Sequence, residues 1–143
     1  MISVLSPELF KTIPWKNGQG ETIELAMNYG GHLDDFIWRL SMASVVEDGV
    51  FSDFSGYQRN LILIEGNGIN LQHDASKIDK LNRILDVANF DGGCRTVGNL
   101  IAGEITDFNI ITDKEKCSVV VETFIEQQIE YYNDIFKARE NAG

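Results

Sequence analysis

The alternation of apolar and polar residues along the chain has mainly a period of two, the signature of half-buried strands. Residues 21–27 set Thr22, Glu24 and Ala26 on one face and Ile23, Leu25 and Met27 on the other. Residues 36–44 set Phe36, Trp38, Leu40 and Met42 against Ile37, Arg39, Ser41 and Ala43. The run 60–65 is almost continuously apolar, and Gly66-Asn67-Gly68 leads from it into 69–72, which predicts a hairpin. A second hairpin is predicted from 97–102 and 105–111, which flank Gly103. Residues 76–87 read two ways. Ile78, Leu81, Ile84 and Leu85 have helical spacing, and the same residues fit a strand pair broken near Asn82. The clearest β-branched run is 117–125, expected as a strand. After it, 126–139 predict a short helix, with Ile129, Tyr132, Ile135 and Phe136 on one stripe. Many closely spaced short strands predict a sandwich or a barrel.

Composition narrows the setting. A chain of 143 residues is expected to form a single domain over 1–143. By surface scaling about two-thirds of the unfolded surface is buried at this size, enough for a core. Twelve Lys and Arg stand against 22 Asp and Glu, a net charge of −10, which speaks against nucleic acid and anionic membrane surfaces as partners. No apolar run is long enough to span a bilayer, and MISVLSPELFK lacks the basic and apolar regions of a secretory signal. Cys94 and Cys117 form no CxxC pair, so two reduced thiols in a cytoplasmic protein are expected, a single disulfide being the alternative. Cys117, at the head of an apolar strand, is expected in the core, and Cys94 is expected to be the more exposed.

Candidate chemistry gathers in four segments. In Pro14-Trp15-Lys16-Asn17-Gly18-Gln19-Gly20-Glu21-Thr22 the glycines free the backbone for close approach or positive φ, Trp15 offers a flat wall, and Asn17 both donates and accepts. The Walker spacing is absent, so the alternative is a strained loop closing one end of a barrel. Arg39 and Ser41 share a strand face with Ile37 and Ala43, where an Arg must be paired or face a cavity. Arg39 and Arg59 are both suited to hold a carboxylate bidentately. The segment 48–59 is rich in side chains that could line a pocket mouth, and Asp107 and Asn109 fall on one strand face. Metal chemistry is not signalled. His32 and His73 form no HxH or HxxxH pattern, and each is expected to be solvated. No GxSxG nucleophile motif is present.

Taken together, WKNGQGETIEL (15–25), FIWRLSMASVVEDGVFSDFSGYQRNLILIEGNG (36–68), FDGG (90–93) and GEITDFNII (103–111) resemble the HutD/Ves family. The family's W-x-N-G-G-G-x-T pattern falls on Trp15, Asn17, Gly18, Gly20 and Thr22, with Gln19 in place of the middle glycine. Its W-R-x-S pattern falls on Trp38, Arg39 and Ser41, and its G-x-F-S with a downstream arginine on Gly49, Phe51, Ser52 and Arg59. Its D-x-N pattern falls on Asp107 and Asn109. The resemblance implies an all-β, cupin or RmlC-like β-barrel with a bicupin-like arrangement in a bacterial cytoplasmic protein. Family members usually continue with further strands where this chain turns to its helical pattern, so a shortened second lobe and a short C-terminal helix are expected.

These readings lead to a ligand-binding set of Trp15, Asn17, Gly18, Gly20, Thr22, Trp38, Arg39, Ser41, Ser52, Arg59, Asp107 and Asn109, with no metal and no cofactor. The resemblance implies the role: a non-metal binder of a small carboxylate such as formiminoglutamate, acting as a regulator or sensor in histidine utilisation or stress response. Small-molecule carboxylates are the expected partners, with no nucleic acid and no membrane, and a homodimer is compatible with this reading. The first alternative is a metal-independent isomerase or amide hydrolase with Asp107 as its base. The second is a structural or stress protein with a vestigial pocket.

Overall fold

The computed structural model describes residues 7–16, 18–75 and 77–124. A 3-10 turn, Pro7–Leu9, precedes ten strands: β1 Lys11–Pro14, β2 Gly20–Met27, β3 Trp38–Val45, β4 Gly49–Val50, β5 Tyr57–Glu65, β6 Ile69–His73, β7 Lys77–Leu81, β8 Val87–Asp91, β9 Thr96–Leu100 and β10 Ile105–Asp113. They form a six-stranded sheet in the order β1-β2-β3-β10-β5-β8 and a four-stranded sheet in the order β4-β9-β6-β7. Every pairing is antiparallel.

The period-two alternation explains how the layers pack. Along β3, β6 and β10 every second residue is buried, and those residues face the other sheet. The larger sheet supplies Val45, Leu61, Leu63, Ala88, Phe90 and Ile105 to the core, and the smaller one supplies Ile69, Leu71 and Leu81. Trp15, Phe51 and Leu100 close the edges of this cluster.

The all-β expectation holds, but the sheets do not close into a barrel: no ladder joins them among the described residues. Both predicted hairpins fail for one reason. A strand has two edges, and those of β10 are taken by β3 and β5, while those of β5 are taken by β10 and β8. β6 and β9 therefore pair with each other in the smaller sheet instead of with their sequence neighbours. The Gly66-Asn67-Gly68 turn is a crossing between sheets. Gly66 and Gly68 have φ of +101° and +130°, and a Cβ on either would come within 2.6 Å of a carbonyl oxygen, that of Glu104 or Leu81.

Other expectations change as well. The strand alternative is the right one for 77–81, with the break at 82–86 before β8. Residues 117–124 carry no regular secondary structure. The β-branched run has strand propensity, but β10, which it follows, is already paired on both sides, and Val120 is 86% exposed. Cys117 accordingly heads no strand and, like Cys94, is a half-buried free thiol. The 126–139 helix lies outside the described residues. His73 is buried, not solvated, because it continues the inward row of Ile69 and Leu71. Its Nδ1 lies 2.8 Å from Thr96 Oγ1 and its Nε2 2.8 Å from Asp79 Oδ2, so both ring nitrogens are satisfied.

Gly66→Ala is expected to destabilise the fold by about 1–3 kcal/mol, because the left-handed backbone and the close carbonyl act together. Val120→Ser, on an exposed position, should stay within about 0.5 kcal/mol. Urea unfolding of the two variants tests this. Equal midpoints would show that the sheet crossing does not depend on glycine.

Candidate functional site

The inward face of the larger sheet does not become apolar throughout. Register places Ser41 opposite Asn109, Ala43 opposite Asp107, and Arg39 opposite Ile111, which in turn faces Arg59 on β5. Thr22 and Glu24 on β2 extend these rows, facing Ala43 and Ser41. Four neighbouring strands thus bring polar side chains onto one floor, beside the apolar half of the same face. A register shift between Thr106 and Asp107 marks one border of that floor. Above it lies a cavity of about 760 Å³.

Arg59 is the most demanding residue on the floor, being only 6% exposed. Its guanidinium carbon lies 5.7 Å from the Phe51 ring centroid and 5.3 Å from those of Phe54 and Phe90. Nη2 donates to Asn109 Oδ1 at 3.1 Å and Nη1 makes a longer bond to the Ser52 carbonyl at 3.4 Å, while Nε has no partner. Burial lowers its pKa to about 10 against the pull of Asp107, and Arg39 adds to the lowering. Asn109 turns its other end to Asp107, donating from Nδ2 to Oδ1. Asp107 is fully buried and its Oδ2 has no partner. Desolvation pushes its carboxyl up to about 7, although Arg59, Asn109 and the Ala43 backbone all favour the charged form. Arg39 is less isolated, since its Nε donates to Glu24 Oε1 at 3.2 Å. The two possibilities read for Arg39, pairing and cavity lining, are therefore realised together.

Trp15, Thr22, Arg39, Ser41, Ser52, Arg59, Asp107 and Asn109 line the cavity. The Trp15 Nε1 donates to Thr22 Oγ1 at 2.8 Å, and the Trp15 ring meets Phe51 edge-on at 6.2 Å. Three candidates are placed elsewhere. Trp38 alternates out of phase with Arg39, so its side chain stands on the opposite face of β3. Gly18 takes φ +72° in the turn, and Gly20 is a packing glycine whose Cβ would lie 2.1 Å from the Ser44 carbonyl oxygen. Asn17 lies outside the described residues. Gln19 has a structural place: its side chain lies over Gly49, where a Cβ would come within 2.0 Å of its Oε1.

Two rings outside the candidate set, Phe54 and Phe90, also lie against Arg59. No pattern in the sequence shows that they flank an arginine. The FDGG motif explains itself in the structure: Phe90 covers Arg59, and Gly92 bonds to Phe54 and Tyr57 through its backbone, with no room for a Cβ beside the Phe54 carbonyl. The 51–57 loop is braced further by Phe36, whose ring stacks on Tyr57 at 4.5 Å. Among the described residues no group of three His, Cys, Asp or Glu could hold a metal ion, and no helix is long and apolar enough to cross a membrane.

The HutD family model matches residues 8–134. The chain belongs to the HutD family. Similar curated proteins include an uncharacterised 21.2 kDa protein in the hutC 3′ region of Pseudomonas putida, 38% identical over 77% of this chain and 57% of its own length. Protein Ves of Escherichia fergusonii is 35% identical over 75% of this chain and 56% of its own. The chain thus spans a little over half the length of the curated relatives it matches. The solved structure of HutD from Pseudomonas fluorescens SBW25 is 40% identical, with a TM-score of 0.72 over 79% of this chain and 61% of that one. A cupin-2 domain from Rhodospirillum rubrum shares the fold at 12% identity, with a TM-score of 0.56 over 98% of this chain and 93% of that one. This HutD-family chain is therefore cupin-like in fold.

Burial raises the carboxyl of Asp107 above its value in the unfolded chain, which couples stability to pH. The folded protein keeps a proton at this site that the unfolded chain releases near 3.8, so the contribution is complete below that pH and is lost as pH rises through about 7. Asp107→Asn removes this dependence. The difference in urea midpoint between wild type and variant should move toward the variant from pH 4.5 to pH 8; a difference that stays constant with pH would contradict the assignment.

Proposed function

We propose that this HutD-family chain binds a small carboxylate without a metal and serves as a regulator or sensor in histidine utilisation. One observation carries the reading: two arginines stand on the floor of a single cavity with N–H groups left over. The ion pair of Arg39 uses Nε, leaving its terminal nitrogens for the cavity, and Arg59 holds only one short bond. A planar guanidinium suits a carboxylate, and a volume of about 760 Å³ falls in the range of small-molecule sites. Ser41 and Asn109 supply neighbouring polar atoms for an amide or formyl group, and Trp15 with Phe51 forms an apolar wall. The pathway assignment rests on names: HutD for the family, and the hutC 3′ region for a relative.

The enzymatic alternative draws on Asp107, whose carboxyl is pushed up to about 7. A general base must reach the proton it removes. Asp107 is fully buried with one oxygen held by Asn109, which favours binding over catalysis. An open cavity also disfavours a vestigial pocket, which side chains would have filled.

Calorimetry with formiminoglutamate, formylglutamate and urocanate tests the reading. At least one should bind at millimolar concentration or below. Arg39→Lys and Arg59→Lys should each weaken it by about tenfold or more, because a point charge does not replace the bidentate fork. No heat from any of the three would refute the histidine-pathway assignment.

A further inference from the structure

We propose that Asp107 is the internal counter-ion of Arg59, and that a carboxylate settling on the cavity floor takes over this role while Asp107 picks up a proton. The inference rests on the carboxylate-binding reading above and adds that binding is proton-linked. It starts from the chain of contacts Arg59 Nη2 to Asn109 Oδ1 and Asn109 Nδ2 to Asp107 Oδ1. The Asn109 amide is oriented by its neighbours, oxygen toward the cation and nitrogen toward the anion. Asp107 therefore senses Arg59 through one polarised side chain as well as through space.

A bound carboxylate brings a second negative charge to a guanidinium that is shielded from water by Phe51, Phe54 and Phe90. Two anions facing one cation in such a site repel, and the less solvated of them is the one that neutralises. Asp107 is that group, being 0% exposed. It also has room for the proton. Oδ2 has no partner, and the bond from Asn109 falls on Oδ1, so protonation at Oδ2 breaks nothing.

The other charges around the floor do not replace it. Arg39 on β3 has its own counter-ion, Glu24 on β2. Lys16, Asp34 and Asp53 line the mouth of the cavity and are exposed, so solvent and salt screen them. The groups facing Arg59 from β8 and from the residue after β4 are uncharged rings, Phe90 and Phe51. Burial already holds the Asp107 carboxyl near neutral pH, so a modest added repulsion is enough to complete its protonation.

Calorimetry of the whole chain with formylglutamate, formiminoglutamate, urocanate and formate, in two buffers of different ionisation enthalpy between pH 6 and 9, gives the number of protons exchanged. Uptake should approach one proton per site above pH 7, and affinity should fall by about tenfold for each further pH unit. In Asp107→Asn, which mimics the protonated side chain, uptake should vanish and the affinity should become flat with pH. If that variant does not fold, the wild-type proton count and pH slope decide alone. Binding with the same enthalpy in both buffers, or uptake that persists in Asp107→Asn, would overturn the proton linkage and leave the carboxylate site standing. No heat from any of the four ligands would overturn both.

Discussion

The burial of one guanidinium constrains this structure more than any other interaction. A cation cannot be moved out of water without replacement partners, and Arg59 lies in the inner layer of a β-sandwich. Its replacements come from separate parts of the chain: a ring and a carbonyl from 51–52, a ring from Phe54, a ring from β8 and an amide from β10. These groups converge only if β5 lies between β10 and β8 and the 51–57 loop folds back over the floor. The strand order of the larger sheet and the shape of the cavity are thus tied to the same solvation requirement.

The smaller sheet and the loops serve that arrangement. β4 ends at Val50, which delivers Phe51 over Gly98 of β9, where a Cβ would come within 2.6 Å of the ring. Phe51 meets Trp15, so the first loop and the 51–57 loop close the rim together. Gln19 lies over Gly49 and its carbonyl accepts from Val46 N at 3.0 Å, which fastens the first loop across the sheet. His73 packs against Phe90 with ring centroids 4.4 Å apart, so the ring that covers Arg59 is itself held in place. Its satisfied ring nitrogens let a polar residue occupy a core row without an unpaired group.

The polar floor was largely legible before the fold was known. Arg39, Ser41, Asp107 and Asn109 could be assigned to strand faces because a strand repeats every two residues, and an Arg or Asp in such a run has few explanations. The same rule places Trp38, out of phase with Arg39, on the outer face of β3. The aromatic enclosure was less visible. Phe54 and Phe90 are 36 positions apart in sequence and come together only because β8 pairs with β5 beside the returning loop. The burial of His73 is not legible in the sequence, because a turn-flanking position says nothing about which layer covers it.

Local chemistry determined, for the segments that do become strands, which residues of each face inward, and that an arginine on such a face would need a partner or a cavity. These properties follow from side-chain alternation and desolvation, and they act within a few residues. Tertiary structure alone decided how the strands are shared between two sheets, which glycine turns are crossings and not hairpins, and that the β-branched run at 117–124 forms no regular strand. The reason is that each strand offers two edges, and long-range partners compete for them with sequence neighbours. The competition for β10 and β5 was settled in favour of strands far away in sequence, and with it the place where Arg59, Asn109 and Asp107 meet.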